Sequence, residues 1–390
     1  MTTFQDLGVP ARLSTDLARR GITAPFPIQR SAIPDLLAGR DVLGRAPTGS
    51  GKTLAFGLPL MARVERAEPR HPRALVLAPT RELAHQIGGE LTPLGKAIGR
   101  WVATIYGGVG YDAQRRRLQR GVDVLVATPG RLIDLLDQGS LFLDGVSIAV
   151  IDEADRMADM GFLPQVRRLL DQTPASRQTV LFSATLDGDV AELTRRYQTD
   201  PVRHEVSGGD RHADATHYFW QVEHHDRVRT TAEIVDSTSP SIVFTRTRHG
   251  ADRVADQLDR AGVSAAAIHG GRNQNQRTRA LGAFTSGRVK ALVATDVAAR
   301  GIHVDGIASV VHFDLAADAK DYLHRSGRTA RAGAGGVVVT LVLGDQLGKT
   351  RSLQRSVGLR DRLHRPADDW LTGVQGGRIG EVGVTDWRRR

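Results

Sequence analysis

Short apolar runs alternate with longer amphipathic stretches from about residue 40 to residue 343. In the first half the runs are Val42-Leu43-Gly44 and residues 74–78, 102–106, 122–127, 148–152 and 179–183. They are apolar at nearly every position, not at every second one, as strands buried on both faces of a parallel sheet are. Residues 10–38 read as helical, with caps and breaks at Ser14, Gly21, Pro25 and Gly39. A polar stretch, Ser207-Gly208-Gly209-Asp210-Arg211-His212-Ala213-Asp214, reads as a flexible linker. The alternation then resumes at 218–222, 242–244, 265–268, 291–294, 310–313 and 337–342. The expected fold class is α/β, with two tandem domains, each a mostly parallel sheet flanked by helices. The expected divisions are a first domain at 1–206, a linker at 207–214 and a second domain at 215–357. A basic, glycine-rich tail at 358–390 reads as mostly disordered.

Composition narrows the partners. The 390 residues carry a net charge of +10, and the pI of about 10.5 favours a polyanionic ligand. The lysines are Lys52, Lys96, Lys290, Lys320 and Lys349; every other basic side chain is arginine, which forks onto phosphate. Cysteine is absent, which excludes disulfides, thiolate metal sites and cysteine nucleophiles. No apolar run approaches membrane-spanning length, and the N-terminus lacks a basic-then-apolar leader pattern. A soluble, cytoplasmic protein with no membrane partner is expected.

Polar, glycine and proline residues gather at the downstream ends of the runs, where ligands bind in open α/β sheets. The first such end is Ala46-Pro47-Thr48-Gly49-Ser50-Gly51-Lys52-Thr53, between a strand pattern and a helix pattern. Gly49 and Gly51 permit a tight turn whose N–H groups face phosphate oxygens, and the helix dipole adds to this. Lys52 brings a mobile charge for the outer phosphates, and Thr53 offers a hydroxyl to Mg²⁺. Asp152-Glu153-Ala154-Asp155 ends the fifth run. Acids at a buried strand's end suit a cation held by Asp152 and a water activated by Glu153. A capped helix start would also favour acids here, but the upstream loop tips the reading to a nucleotide.

At this point the chain resembles the DEAD-box ATP-dependent RNA helicases, from Phe4 to about Leu343. The resemblance implies two RecA-like domains, ATP between them with Mg²⁺, and RNA across both. Phe4 and the stretch from Gly21 to Gln29 resemble the adenine-recognition motif, Gln29 offering a donor and an acceptor to the base. Phe26 stands where the family has a small hydroxyl residue, and Ile22 where an aromatic is common. Ala46 fits the family's version of the phosphate loop, whose ATP contacts are Thr48, Gly49, Ser50, Gly51, Lys52 and Thr53. Pro79-Thr80-Arg81-Glu82-Leu83-Ala84, Gly107-Gly108 and Thr128-Pro129-Gly130-Arg131 resemble RNA-binding motifs, which names Arg81, Gly108, Thr128 and Arg131. Ser183-Ala184-Thr185 resembles the motif coupling ATP state to strand separation, with its hydroxyls expected on Asp155. In the second domain, Thr245, Arg277 and Thr295 match RNA-contact positions. Asp296 and Gly301 match positions serving the interface and the nucleotide. His303 replaces an Asp that contacts ribose. His324-Arg325-Ser326-Gly327-Arg328-Thr329-Ala330-Arg331 places arginines at i, i+3 and i+6, expected on one helical face. The resemblance names Arg328 and Arg331 as arginine fingers and His324 as a contact to the Asp155 region.

The expected activity is RNA-stimulated ATP hydrolysis with local unwinding of short duplexes and ribonucleoprotein remodelling. The contacts fall on the RNA backbone and so carry little sequence specificity. Because the site is split, ATP and RNA should bind cooperatively. An ATP-gated RNA clamp and a DNA helicase of the same superfamily are the alternatives. Ribonucleoprotein or ribosome-assembly particles are possible partners.

Overall fold

The computed structural model describes residues 2–46, 49–183, 185–186, 188–206, 215–299, 304, 306–330, 335–359 and 363–364. The chain divides into two compact units, Met1–Gly208 and Gly209–Arg390.

The first unit carries β1 (Val42–Arg45), β2 (Ala74–Leu77), β3 (Val102–Ile105), β4 (Val124–Ala127), β5 (Ile148–Ile151), β6 (Gln178–Ser183) and β7 (Val202–Glu205). Their order across the sheet is β3-β4-β2-β5-β6-β1-β7, and every pairing is parallel. Alternate residues feed two cores, one on each face. Val42, Val76, Val126, Val150 and Val180 enter one; Leu43, Leu75, Leu77, Leu125 and Leu181 enter the other. That two-sided burial is why these runs are continuously apolar.

The second unit carries β8 (Ala215–Gln221), β9 (Ser241–Thr245), β10 (Ala265–Ile268), β11 (Ala291–Thr295), β12 (Ser309–His312), β13 (Gly336–Val342) and β14 (Leu363–His364). Its order, β10-β11-β9-β12-β13-β8-β14, repeats that of the first sheet strand for strand. The halves thus share a topology, although only the first has the glycine-rich loop.

Two strands depart from the expected pattern. Val202–Glu205 forms the edge strand β7 with half-buried and exposed positions alternating, so it has no continuous apolar run to announce it. Leu363–His364 pairs with Phe219 and Trp220, so part of the tail expected to be disordered is sheet. Residues 360–362 and 365–390 of that tail, and the whole expected linker 207–214, lie outside the described residues.

β1 leads directly into the glycine-rich loop. Its third residue is Gly44 because the ring of Phe182 on β6 occupies the space a side chain would need, within 2.2 Å of a Cβ placed there. Phe182 in turn packs on Phe56 of the helix after the loop, ring centroids 5.9 Å apart. Strand, loop and helix are thereby locked from behind.

Candidate functional site

The loop after β1 ends in two left-handed glycines, Gly49 (φ 79°) and Gly51 (φ 87°). Gly51 is the N-cap of the helix Lys52–Arg63. A Cβ on Gly51 would sit 2.4 Å from Gln29 Nε2 and 2.6 Å from the Phe26 ring. That closeness reflects a tie between loop and base-reading amide: Gln29 Nε2 donates to the Gly51 carbonyl at 2.9 Å. Its Oε1 accepts the Phe26 N–H at 2.8 Å, closing the start of the helix Pro27–Leu37. A carboxamide has a second N–H and a second lone pair, so these two bonds leave one of each for a base edge. Ser50 and Lys52 are buried and Thr53 is half-buried. Phe26 is 51% exposed, whereas Phe4 is 3% exposed and packs in the core beneath, beside Leu13 and Leu17. Pro47 and Thr48 lie outside the described residues.

β5 delivers the acids. Lys52 Nζ stands 3.8 Å from Asp152 Oδ1, both side chains buried. The same oxygen accepts the Glu153 N–H at 3.0 Å. Burial pushes the Asp152 carboxyl up to about 6; Lys52 opposes the rise and the neighbouring Glu153 adds to it. Glu153 adopts φ 54°, a strained left-handed conformation for a residue with a side chain, and one that clusters at functional sites. Its carboxylate accepts a hydrogen bond from Arg156 Nη1, with both residues buried. Sequence reasoning passed over Arg156, because an arginine in a helical stretch ordinarily faces solvent.

Ser183, at the end of β6, reaches Asp155 through the backbone of that residue. The hydroxyl accepts the Asp155 backbone N–H at 3.2 Å. Asp155 lies in the first turn of the helix Ala154–Asp159, where backbone N–H groups lack helical acceptors. Thr185 is exposed, and Ala184 lies outside the described residues.

Three of the four residues expected at RNA in this unit come together. Arg81 begins the helix Arg81–Ile98 and lies across Gly107-Gly108, so close that a Cβ on Gly108 (φ 85°) would meet its guanidinium at 2.1 Å. Arg131, in the helix Pro129–Asp137, donates to the Val109 carbonyl at 2.9 Å, and its guanidinium lies 4.0 Å from the Tyr111 ring centroid. Thr80 spends its hydroxyl on the Leu83 N–H as a helix cap. Thr128 stands in the same N-cap position, yet its hydroxyl makes no cap bond.

In the second unit Thr245 and Thr295 are register partners at the ends of β9 and β11. Arg277 is half-buried on the helix Gln274–Thr285. Arg325 donates from Nε and Nη2 to the two Asp296 oxygens at 2.5 and 2.7 Å, and from Nη1 to the Asp314 carbonyl at 2.7 Å. Of the arginines expected on one helical face, Arg325 lies in the helix and Arg328 lies beyond its end. The helix Ala319–Ser326 stops before Arg328, whose Nε instead reaches back to the His324 carbonyl at 3.3 Å. Arg325 is spent on a clamp within its own unit. A small cleft is lined by Phe244, Asp296, Asp321, His324, Arg325 and Arg328. Arg331, Gly301 and His303 lie outside the described residues.

The helix Ala319–Ser326 is anchored by Tyr322, which is fully buried. Its hydroxyl is 2.7 Å from His217 Nδ1 on β8, and its ring stacks on His312 of β12 with centroids 4.8 Å apart. Burial holds the His312 imidazole well below its usual pKa, and the nearby Arg325 and His217 act in the same direction.

Two family models match: the DEAD/DEAH box helicase over residues 26–193 and the helicase conserved C-terminal domain over 226–333. The chain is 38% identical over 380 residues to the DEAD-box ATP-dependent RNA helicase CshA of Geobacillus kaustophilus, covering 96% of this chain and 81% of the relative. To the CshA of Bacillus subtilis it is 37% identical, covering 96% and 76%. Among solved structures it resembles Saccharomyces cerevisiae Dbp5 bound to RNA and ADP BeF3. That match has a TM-score of 0.83 and 29% identity, covering 96% of this chain and all of that one. Among the described residues no helix is long and apolar enough to cross a membrane. With both family models matched in order and relatives this similar over nearly its whole length, the chain belongs to the DEAD-box ATP-dependent RNA helicases.

Proposed function

We propose that this protein hydrolyses ATP in response to RNA, opens short RNA duplexes locally and remodels ribonucleoprotein. The observation that carries the reading is the cluster of Lys52, Asp152 and Glu153 beside a glycine loop tied to Gln29. Loop N–H groups and Lys52 would bind the ATP phosphates, and Gln29 the adenine edge, with Thr48, Gly49, Ser50 and Gly51 shaping the cradle. Phe4 would support this pocket from the core. Glu153, held by Arg156 and by its own backbone, would orient the attacking water and take its proton. The donor set also fits a hard divalent cation: a buried carboxylate whose ionisation is penalised, and a hydroxyl one helical residue past Lys52. Asp152 and Thr53 would hold Mg²⁺, which when bound neutralises phosphate charge. Arg328 and Arg331 would stabilise charge on the transferring phosphoryl group. Asp155, Ser183, Thr185, His324 and Asp296 would couple nucleotide state to RNA, with Gly301 near the nucleotide. Arg81, Gly108, Thr128, Arg131, Thr245, Arg277 and Thr295 would hold RNA by its backbone. We place the domains at 1–206 and 215–357 and the protein in the cytoplasm.

The test is strand displacement. Full-length protein with ATP should release a labelled strand from a short RNA duplex and fail to do so without ATP. Tight, ATP-dependent RNA binding with no release would make the protein a clamp instead.

A further inference from the structure

We propose that the helix Tyr111–Arg120 and the indole of Trp101 form a second RNA track on the first unit, continuing the Arg81–Gly108–Arg131 face to the opposite end of the sheet. The inference rests on the reading of that face as an RNA site. The helix begins there: Tyr111 lies under the Arg131 guanidinium at 4.0 Å, and Val109, 39% exposed, precedes it. Gln114 and Leu118 are the buried side of the helix. The other side carries Arg115, Arg116, Arg117 and Arg120 against one acid, Asp112, which Arg115 faces at 3.9 Å. Arg115 also donates to Gln138 and lies 5.5 Å from the Tyr111 ring centroid. Arg116, Arg117 and Arg120 are exposed, and no carboxylate among the described residues pairs with them. Arg116 and Arg120 are four apart and Arg117 and Arg120 three apart, so their charges stand together on one face.

The stripe ends on Trp101. The helix stops at Arg120, three residues before Asp123, and Asp123 Oδ2 accepts the Trp101 N–H at 2.7 Å. The Trp101 carbonyl accepts the N–H groups of Asp123 and Val124 at 2.9 and 3.0 Å. The backbone is therefore fixed at the start of edge strand β3, yet the side chain is 70% exposed. A large ring exposed to water from a fixed stretch of backbone offers a π-face on which a base can stack. Ten helical residues span about 15 Å, a distance that a few nucleotides of single strand cover. Unpaired arginines for phosphates and a terminal aromatic for a base match single-stranded RNA, and continuity with the first RNA face favours RNA over an acidic protein segment.

Fluorescence anisotropy with labelled oligouridylates of about 6 and about 20 nucleotides, in the full chain, separates the two tracks. The combined Arg116→Ala, Arg117→Ala, Arg120→Ala variant should weaken binding of the long oligomer roughly tenfold and leave the short one unchanged. Its log affinity should depend less steeply on log salt, by roughly 0.7 for each phosphate contact removed. Trp101→Ala should weaken the long oligomer by a similar factor, and Trp101→Phe should restore most of it. Variants that bind both lengths as the wild type does would overturn the second track, as would equal losses on both lengths. A wild type that binds neither oligomer would instead overturn the RNA reading of the first face.

Discussion

Asp152 gives a prediction in which stability and activity part. Its carboxyl is buried, and its pKa is raised from 3.8 to about 6. Below 3.8 the group is protonated in both folded and unfolded chains and costs nothing. As pH rises past 3.8 the unfolded chain ionises first, so stability is lost, and the loss is complete once pH has passed about 6. The full penalty at neutral pH is roughly 3 kcal/mol. Asp152→Asn mimics the protonated form. Its amide oxygen can still accept the Glu153 N–H, and Lys52 loses its anionic neighbour just as it does when Asp152 is protonated. The variant should therefore be more stable than the wild type by up to about 3 kcal/mol at pH 7.5, a rise of up to about 6–12 °C in the first unit's melting temperature. At pH 4 the advantage should shrink below about 1 kcal/mol. Calorimetric melts of both full-length proteins in chelator, at the two pH values, measure this directly. The same variant should lose ATP turnover. A variant no more stable than wild type at pH 7.5, or an advantage that persists at pH 4, would refute the reasoning.

Gly51→Ala forces a side chain into a left-handed position already crowded by Gln29 and Phe26; nucleotide titration should show ATP affinity reduced at least roughly tenfold. Arg325→Lys keeps the charge but cannot bond both Asp296 oxygens and the Asp314 carbonyl; the second unit should lose about 1–3 kcal/mol in denaturant melts, with kcat falling as His324 and Arg328 shift. His312 resists protonation when folded, because burial and Arg325 hold its pKa below 6.5. The unfolded chain takes up that proton as pH drops through 6.5, so folding stability should fall below that pH, and the His312→Asn variant should show a flatter pH profile over the same window.

Much of this fold is written in its apolar runs. The interior strands β2, β4, β5 and β11 are runs of Val, Leu, Ile and Ala closed at most by one Thr, because both their faces are covered, and strand ends place the chemistry. The edge strand β7, Val-Arg-His-Glu, is solvated on alternate positions and carries no such signal. Motif residues were legible as types and spacings, but their bonds were not. The Asp155 contact to Ser183 runs through a backbone N–H, which no side-chain pattern announces. The arginines after His324 have helical spacing, yet the helix ends at Ser326 and only Arg325 belongs to it. Arg156 escaped notice because its partner, Glu153, is turned toward it by a φ of 54° that the sequence does not display. Phe4, which the resemblance names as part of the adenine motif, is buried in the core, and the sequence does not display that burial. Trp101 lies just outside the run 102–106 and belongs to no motif, so nothing in the sequence marks its exposure.

The central claim, that ATP turnover here answers to RNA, is tested most directly by steady-state phosphate release from full-length protein with Mg²⁺ and ATP, with and without single-stranded RNA. The account predicts a low basal rate, a rise of at least roughly tenfold with RNA, and no turnover in Glu153→Gln although that variant still binds ATP. A wild-type rate that added RNA leaves unchanged, or a Glu153→Gln variant that turns over like the wild type, would contradict it.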